Sequence, residues 1–140
     1  MKFWDSSAIL PLLVQETRTP SVRALFDTDV QMTVWWGSAV ECASVIARLE
    51  RERRLSGSGV QEAVQRLGRL RHDWHEFHPS EELREMAIRF VRVHPLRAGD
   101  ALQLASAFLA AEGRPSNLEF VCLDERLSTA ARREGFPLTP

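Results

Sequence analysis

Lysine is nearly absent from this 140-residue chain. It occurs once, as Lys2, and the rest of the 18 Lys and Arg residues are arginine. Arginine suits bidentate phosphate contacts, although a biased genome base composition produces the same usage. The net charge is −1, so no global basic field marks the chain as a nucleic-acid binder. Cysteine occurs only as Cys42 and Cys122, without the paired spacing of a metal site. Buried free thiols in a reducing cytoplasm are therefore expected. No apolar run approaches the roughly 20 residues needed to cross a bilayer. Met1 to Asp5 does not open a signal peptide, because polar residues arrive before any hydrophobic region forms. These absences lead to the expectation of a cytoplasmic protein with no membrane contact. There is no internal repeat and no low-complexity segment, and the length suits one domain over residues 1–140.

What is present alternates. Lys2 to Asp5 reads as a short apolar strand, followed by a helix from about Ala8 to Glu16, capped by Ser6 or Ser7 and delayed or bent by Pro11. A helix is expected over Pro20–Asp27, a β-branched and aromatic strand over Gln31–Trp36, and a long helix from Gly37-Ser38 to about Leu55. Ser56 to Gly59 reads as a break. Another helix ends near Asp73, and Trp74–His78 reads as a short strand. Two helices follow, from Ser80 to about Val93 and through "LRAGDALQLASAF" to about Glu112. Glu119–Leu123 reads as a strand, Asp124–Glu134 as a helix and Phe136–Leu138 as a last strand. Strands alternating with helices predict an α/β fold with a mainly parallel sheet.

Ligands of such sheets bind outside the carboxyl ends of the strands, and four acids fall at corners of that edge. Asp5 ends the first strand and Asp124 ends "EFVCLD". Glu41 sits one turn into the helix after "QMTVWW", and Asp100 lies on the first turn of its own helix. Taken singly, Asp100 is explained by the free N–H groups of a helix N-terminus, Asp124 by capping and Asp5 by turn formation. Taken together, carboxylates so crowded repel, and one would take up a proton unless a cation intervened. An all-oxygen donor set favours Mg²⁺ or Mn²⁺ over zinc. Such ions activate water and stabilise the oxyanions of phosphodiester cleavage.

The stretches "FWDSSAIL", "ECASVIARL", "LRAGDALQLASAF" and "VCLDERLSTAARREGF" resemble, in order and spacing, the PIN-domain ribonucleases, specifically the VapC-type toxins of toxin–antitoxin pairs. The resemblance spans nearly the whole chain, and "LRAGDALQLA" is its most specific part. It implies an α/β/α sandwich and a Mg²⁺- or Mn²⁺-dependent endoribonuclease, whose products carry a 5′-phosphate and a 3′-hydroxyl. By position, Asp5 and Asp100 match the anchors of the metal, Glu41 binds it directly or through water, and Asp124 orients the attacking water or helps hold a second ion. Ser7 matches the small polar residue that orients Asp5. A cognate antitoxin and a homodimer are also implied; an arginine placed in the acidic cleft is a hypothesis for how such an antitoxin inhibits. One departure is visible: Cys122 stands where many relatives carry Thr or Ser, and a thiol is a poorer hydrogen-bond partner.

Arg48, seven residues after Glu41, returns to the same helix face about 10 Å along the axis. It is a candidate RNA-phosphate contact, as is Arg97 beside the Asp100 turn; pairing of Arg48 with Glu50 or Glu52 is the competing reading. His72, His75 and His78 lack the spacing of a zinc-protease helix. Trp4, Trp35 and Trp36 flank strand ends and are expected in the core or at a subunit interface. A haloacid-dehalogenase-like enzyme would need a second Asp where Ser7 stands, and a receiver domain would need a late lysine. The rival that remains is a PIN-like module without catalysis that binds a partner protein.

Overall fold

Phe3 and Trp4 are neighbours in sequence, both are fully buried, and they belong to different cores. A strand sends successive side chains to opposite faces, so a sheet buried on both faces needs runs that are apolar throughout. The computed structural model, which describes residues 1–140, contains such a sheet. Its strands are β1 (Lys2–Trp4), β2 (Met32–Trp35), β3 (His75–Phe77), β4 (Phe120–Val121) and β5 (Leu138–Thr139). Their order is β3-β2-β1-β4-β5, and every neighbouring pair is parallel.

Four helices bury one face: α1 (Ser6–Leu13), α2 (Thr19–Thr28), α3 (Ser38–Arg51) and α4 (Gly57–Asp73), packed around Trp4, Val34 and Val121. Three cover the other: α5 (Glu81–Val93), α6 (Ala98–Ala110) and α7 (Glu125–Arg133), around Phe3, Trp35 and Phe120. The result is a PIN-like α/β/α sandwich. The chain builds outward from β1 to β2 and β3, then crosses back through α5 and α6 to place β4 on the other side of β1. Strand order therefore reverses between β1 and β4, and a crevice opens beyond their carboxyl ends.

The expected elements are all present, with shifted ends. The cap of α1 is Asp5, which accepts the Ser7 N–H at 3.1 Å, and not Ser6 or Ser7. Pro11 lies inside α1 without ending it. The Ser-Gly segment is not a break across its length: Ser56 caps α4 by accepting the Gly59 N–H at 3.0 Å, and Gly57 to Gly59 form the first turn. The third helix stops at Arg51 and not near Leu55. There Arg53 takes a left-handed conformation (φ 57°) and the Arg54 N–H returns to Leu49 O, an ending that glycine ordinarily marks. Trp35 is buried as expected, but Trp36 is half exposed.

Gly37, which follows the two tryptophans, is required for space. A Cβ there would collide with Nε1 of the buried Trp35 ring. Gly37→Ala is expected to destabilise the fold by about 1–3 kcal/mol, as overpacking does. Urea denaturation reads this as a lower midpoint; an unchanged midpoint would contradict the packing described.

Candidate metal centre

Each of the four acids is delivered to the β1–β4 crevice by a different element. Asp5 leaves the end of β1 and is 4% exposed. Its Oδ2 accepts the Ser7 hydroxyl at 2.5 Å as well as the Ser7 N–H. Ser7 Oγ in turn accepts the Leu123 N–H at 3.0 Å, which ties the end of β1 to the residues after β4. Asp124 caps α7 through Oδ1, which accepts the Leu127 N–H at 2.8 Å. Asp100 stands in the third position of α6, where the backbone N–H of Arg97 at the cap favours its ionised form. Glu41 rises from the first turn of α3. A methyl group at Gly99 would lie 3.4 Å from Glu41 Oε2, so the first turn of α6 packs directly against that carboxylate.

The charges are coupled in a chain. Burial is the main cause that raises the proton affinity of Asp5, with Asp100 adding repulsion and the Ser7 and Cys122 hydrogen bonds opposing. Glu41 is pushed up to about 7, first by burial and then by Asp5 and Asp100, against the Gln103 hydrogen bond. Asp100 is raised by burial and by Asp124, with Arg97 and Arg126 offsetting part of it. No three His, Cys, Asp or Glu side chains converge as ligands of one ion in the arrangement as it stands. The donor chemistry nonetheless fits a hard divalent cation. The donors are carboxylate oxygens, Asp5 Oδ1, Glu41 Oε2 and Asp124 Oδ2 are left without hydrogen bonds, and the charged forms of the three shifted acids are disfavoured until a cation compensates them.

Two residues hold the cluster that the sequence does not announce as functional. Gln103, fully buried on α6, donates through Nε2 to Glu41 Oε1 at 2.7 Å and to Ser38 Oγ at 3.0 Å. It lies three residues after Asp100, one turn along the same helix face, and that spacing was the available signal. Arg126 shares with Arg97, Asp100 and Asp124 a polar cleft of about 620 Å³. Arg97 thus stands where the sequence suggested, at the acids, whereas Arg48 is exposed two turns along α3 and lines no part of that cleft. Arg48 has no ion pair with Glu50 or Glu52; Glu52 pairs with Arg54. Cys122 keeps the contact that its substitution put in question. Its Sγ lies 3.7 Å from Asp5 Oδ2. Burial and the neighbouring Asp5 push the thiol up to about 12, so it stays protonated and donates weakly.

No protein-family model matches the sequence, and no curated protein matches it. Solved structures do. FitAcB from Neisseria gonorrhoeae is 16% identical with a TM-score of 0.69, over 100% of this chain and 97% of that one. A toxin–antitoxin complex from Klebsiella pneumoniae is 15% identical, TM-score 0.64, over 100% and 97%. VapC20 from Mycobacterium tuberculosis, described as a sarcin-ricin loop cleaving toxin, is 17% identical, TM-score 0.68, over 97% and 96%.

Glu41 carries a pH prediction. Unfolded, it titrates near 4.5; folded, near 7. Between these values the folded chain holds the extra proton, so this group's contribution to stability falls as pH rises. Without divalent ions, Glu41→Gln should leave the melting temperature nearly unchanged at pH 4 and raise it at pH 8. An equal effect at both values would mean that Glu41 is not crowded. The fold these acids occupy is that of the solved structures above.

Proposed function

We propose that this protein is a Mg²⁺- or Mn²⁺-dependent endoribonuclease and the toxin of a toxin–antitoxin pair. The observation that carries this reading is the gathering of Asp5, Glu41, Asp100 and Asp124 at the β1–β4 crevice, where three of them have raised proton affinity. The shared fold with VapC20, a sarcin-ricin loop cleaving toxin by its description, supports the choice of RNA as substrate.

Asp5, Asp100 and Glu41 would hold the ion, with Asp124 close enough to Asp100 to serve a water or a second ion. The bound cation supplies a more acidic water and charge compensation for the phosphate oxygens. The protein's own groups do the rest. Ser7 and Gln103 fix the carboxylates by hydrogen bonds without neutralising them, the outer support that orients metal ligands elsewhere. Asp124 accepts a proton from, or aligns, the attacking water. Arg97 and Arg126, on the open side of the cleft, receive the phosphate. Arg48 takes a phosphate farther along the strand. A cognate antitoxin that inserts an arginine among the acids would block this site by mimicking the cation's charge, and a homodimer is part of the same reading. The second reading, a PIN-like interaction module without catalysis, is disfavoured by the retention of all four acids.

Incubation of the purified protein with RNA and Mn²⁺ should give fragments bearing 5′-phosphates. Asp5→Asn should lower the rate by on the order of a hundredfold or more, and Gln103→Leu by roughly 10–100-fold, as loss of an outer support does. Equal residual activity in wild type and Asp5→Asn would assign the cleavage to a contaminant and leave the binding-module reading.

A further inference from the structure

Three of the four tryptophans are buried: Trp4 at 0%, Trp35 at 8% and Trp74 at 8%. Trp36 is 49% exposed, next to Val40 at 69%. Its exposure is built in, because its backbone is not on a loose loop. The Trp36 N–H donates to Phe77 O at 3.0 Å, extending the β2–β3 ladder. Its ring meets Trp35 edge-on, with centroids 6.3 Å apart and planes at 70°. Trp36, Val40 and Glu41 line a single cleft of about 580 Å³, whose remaining wall includes Ser6, Gly37 and Ser44. Glu41 therefore belongs both to the acid cluster and to this cleft, whose lining is separate from that of the cleft holding Arg97 and Arg126.

Single-stranded nucleic acid is bound where aromatic faces take bases and basic side chains follow the backbone. We propose that Trp36 is a stacking platform for an unpaired nucleobase adjacent to the scissile phosphate; this rests on the endoribonuclease reading. The small residues around it leave room for a flat ring, Val40 adds an apolar edge, and Glu41 places the slot beside the reacting phosphate. Arg48, exposed farther along α3 and in no ion pair, continues the path as a phosphate contact. A protein partner is the poorer occupant. A protein interface buries roughly 1,200–2,000 Å² around a broad apolar centre, and here the large exposed apolar side chains of the cleft number only Trp36 and Val40.

Because Trp36 is the exposed tryptophan, a base in contact with it quenches its share of the emission while the buried rings are out of reach. Protein carrying Asp5→Asn to slow turnover is titrated in Mg²⁺ with a short single-stranded RNA, and binding is followed in parallel by anisotropy of a labelled RNA. Quenching of tryptophan emission is expected, lost in Trp36→Phe. Trp36→Ala should weaken binding about tenfold, within the range for a stacked base, and Trp36→Phe less. An abasic site scanned along the RNA should cost about tenfold at one position, and that penalty should vanish in Trp36→Ala. Unchanged affinity with the abasic penalty intact would overturn the platform, as would a change of mass in solution with RNA affinity intact, which would assign the face to a protein contact. If the wild-type enzyme cleaves RNA and Trp36→Ala cleaves it with the same KM, the platform alone falls. If no RNA is bound or cleaved, both readings fall.

Discussion

Repulsion between carboxylates is the constraint around which this chain is organised. Asp5, Glu41, Asp100 and Asp124 are separated by up to 119 positions in sequence, yet each feels the field of another in the fold. Gathering them is unfavourable by itself, since burial disfavours the charged forms of Asp5, Glu41 and Asp100 and neighbouring charges add to it. The protein tolerates this through rigid delivery. The carboxylates come from a strand end, two helix first turns and a helix cap, and all four belong to elements anchored in two cores.

The support around the acids is polar but uncharged where it touches them most closely. Ser7 and Gln103 donate hydrogen bonds that keep Asp5 and Glu41 in place and ease their ionisation, while leaving their negative charge available. Lysine, which would have collapsed onto such a cluster as a permanent partner, is confined to Lys2 on the amino-terminal side of β1. The arginines stand at the open side of the cleft, near enough to Asp100 to moderate its charge and exposed enough to meet a phosphate. A centre with unmet negative charge inside and positive charge at its rim suits an ion first and an anionic substrate second.

Much of this was legible from residue pattern. Apolar runs such as "KFW" and "MTVW" gave the buried strands because both faces of the sheet are covered, and Asp after a strand marked the functional edge. Other features were hidden for identifiable reasons. Trp35 and Trp36 are chemically identical, and one residue of alternation separates a core ring from an exposed one. Gln103 sits in an aliphatic helix, where a lone amide reads as a solvent-facing residue; only its spacing from Asp100 hints that it turns inward. The end of α3 carries no glycine, since Arg53 adopts the left-handed turn itself. Asp5, and not its serines, caps α1, and it does so through one carboxylate oxygen while the other is left without a hydrogen bond.

The most direct measurement is the position of Mn²⁺ by anomalous diffraction from crystals of the protein soaked in the ion. The account predicts a peak bounded by the carboxylates of Asp5, Glu41 and Asp100, with small side-chain rotations drawing their free oxygens inward. Crystals that take up Mn²⁺ elsewhere, or that leave the crevice empty at a pH where all four acids are ionised, would contradict it.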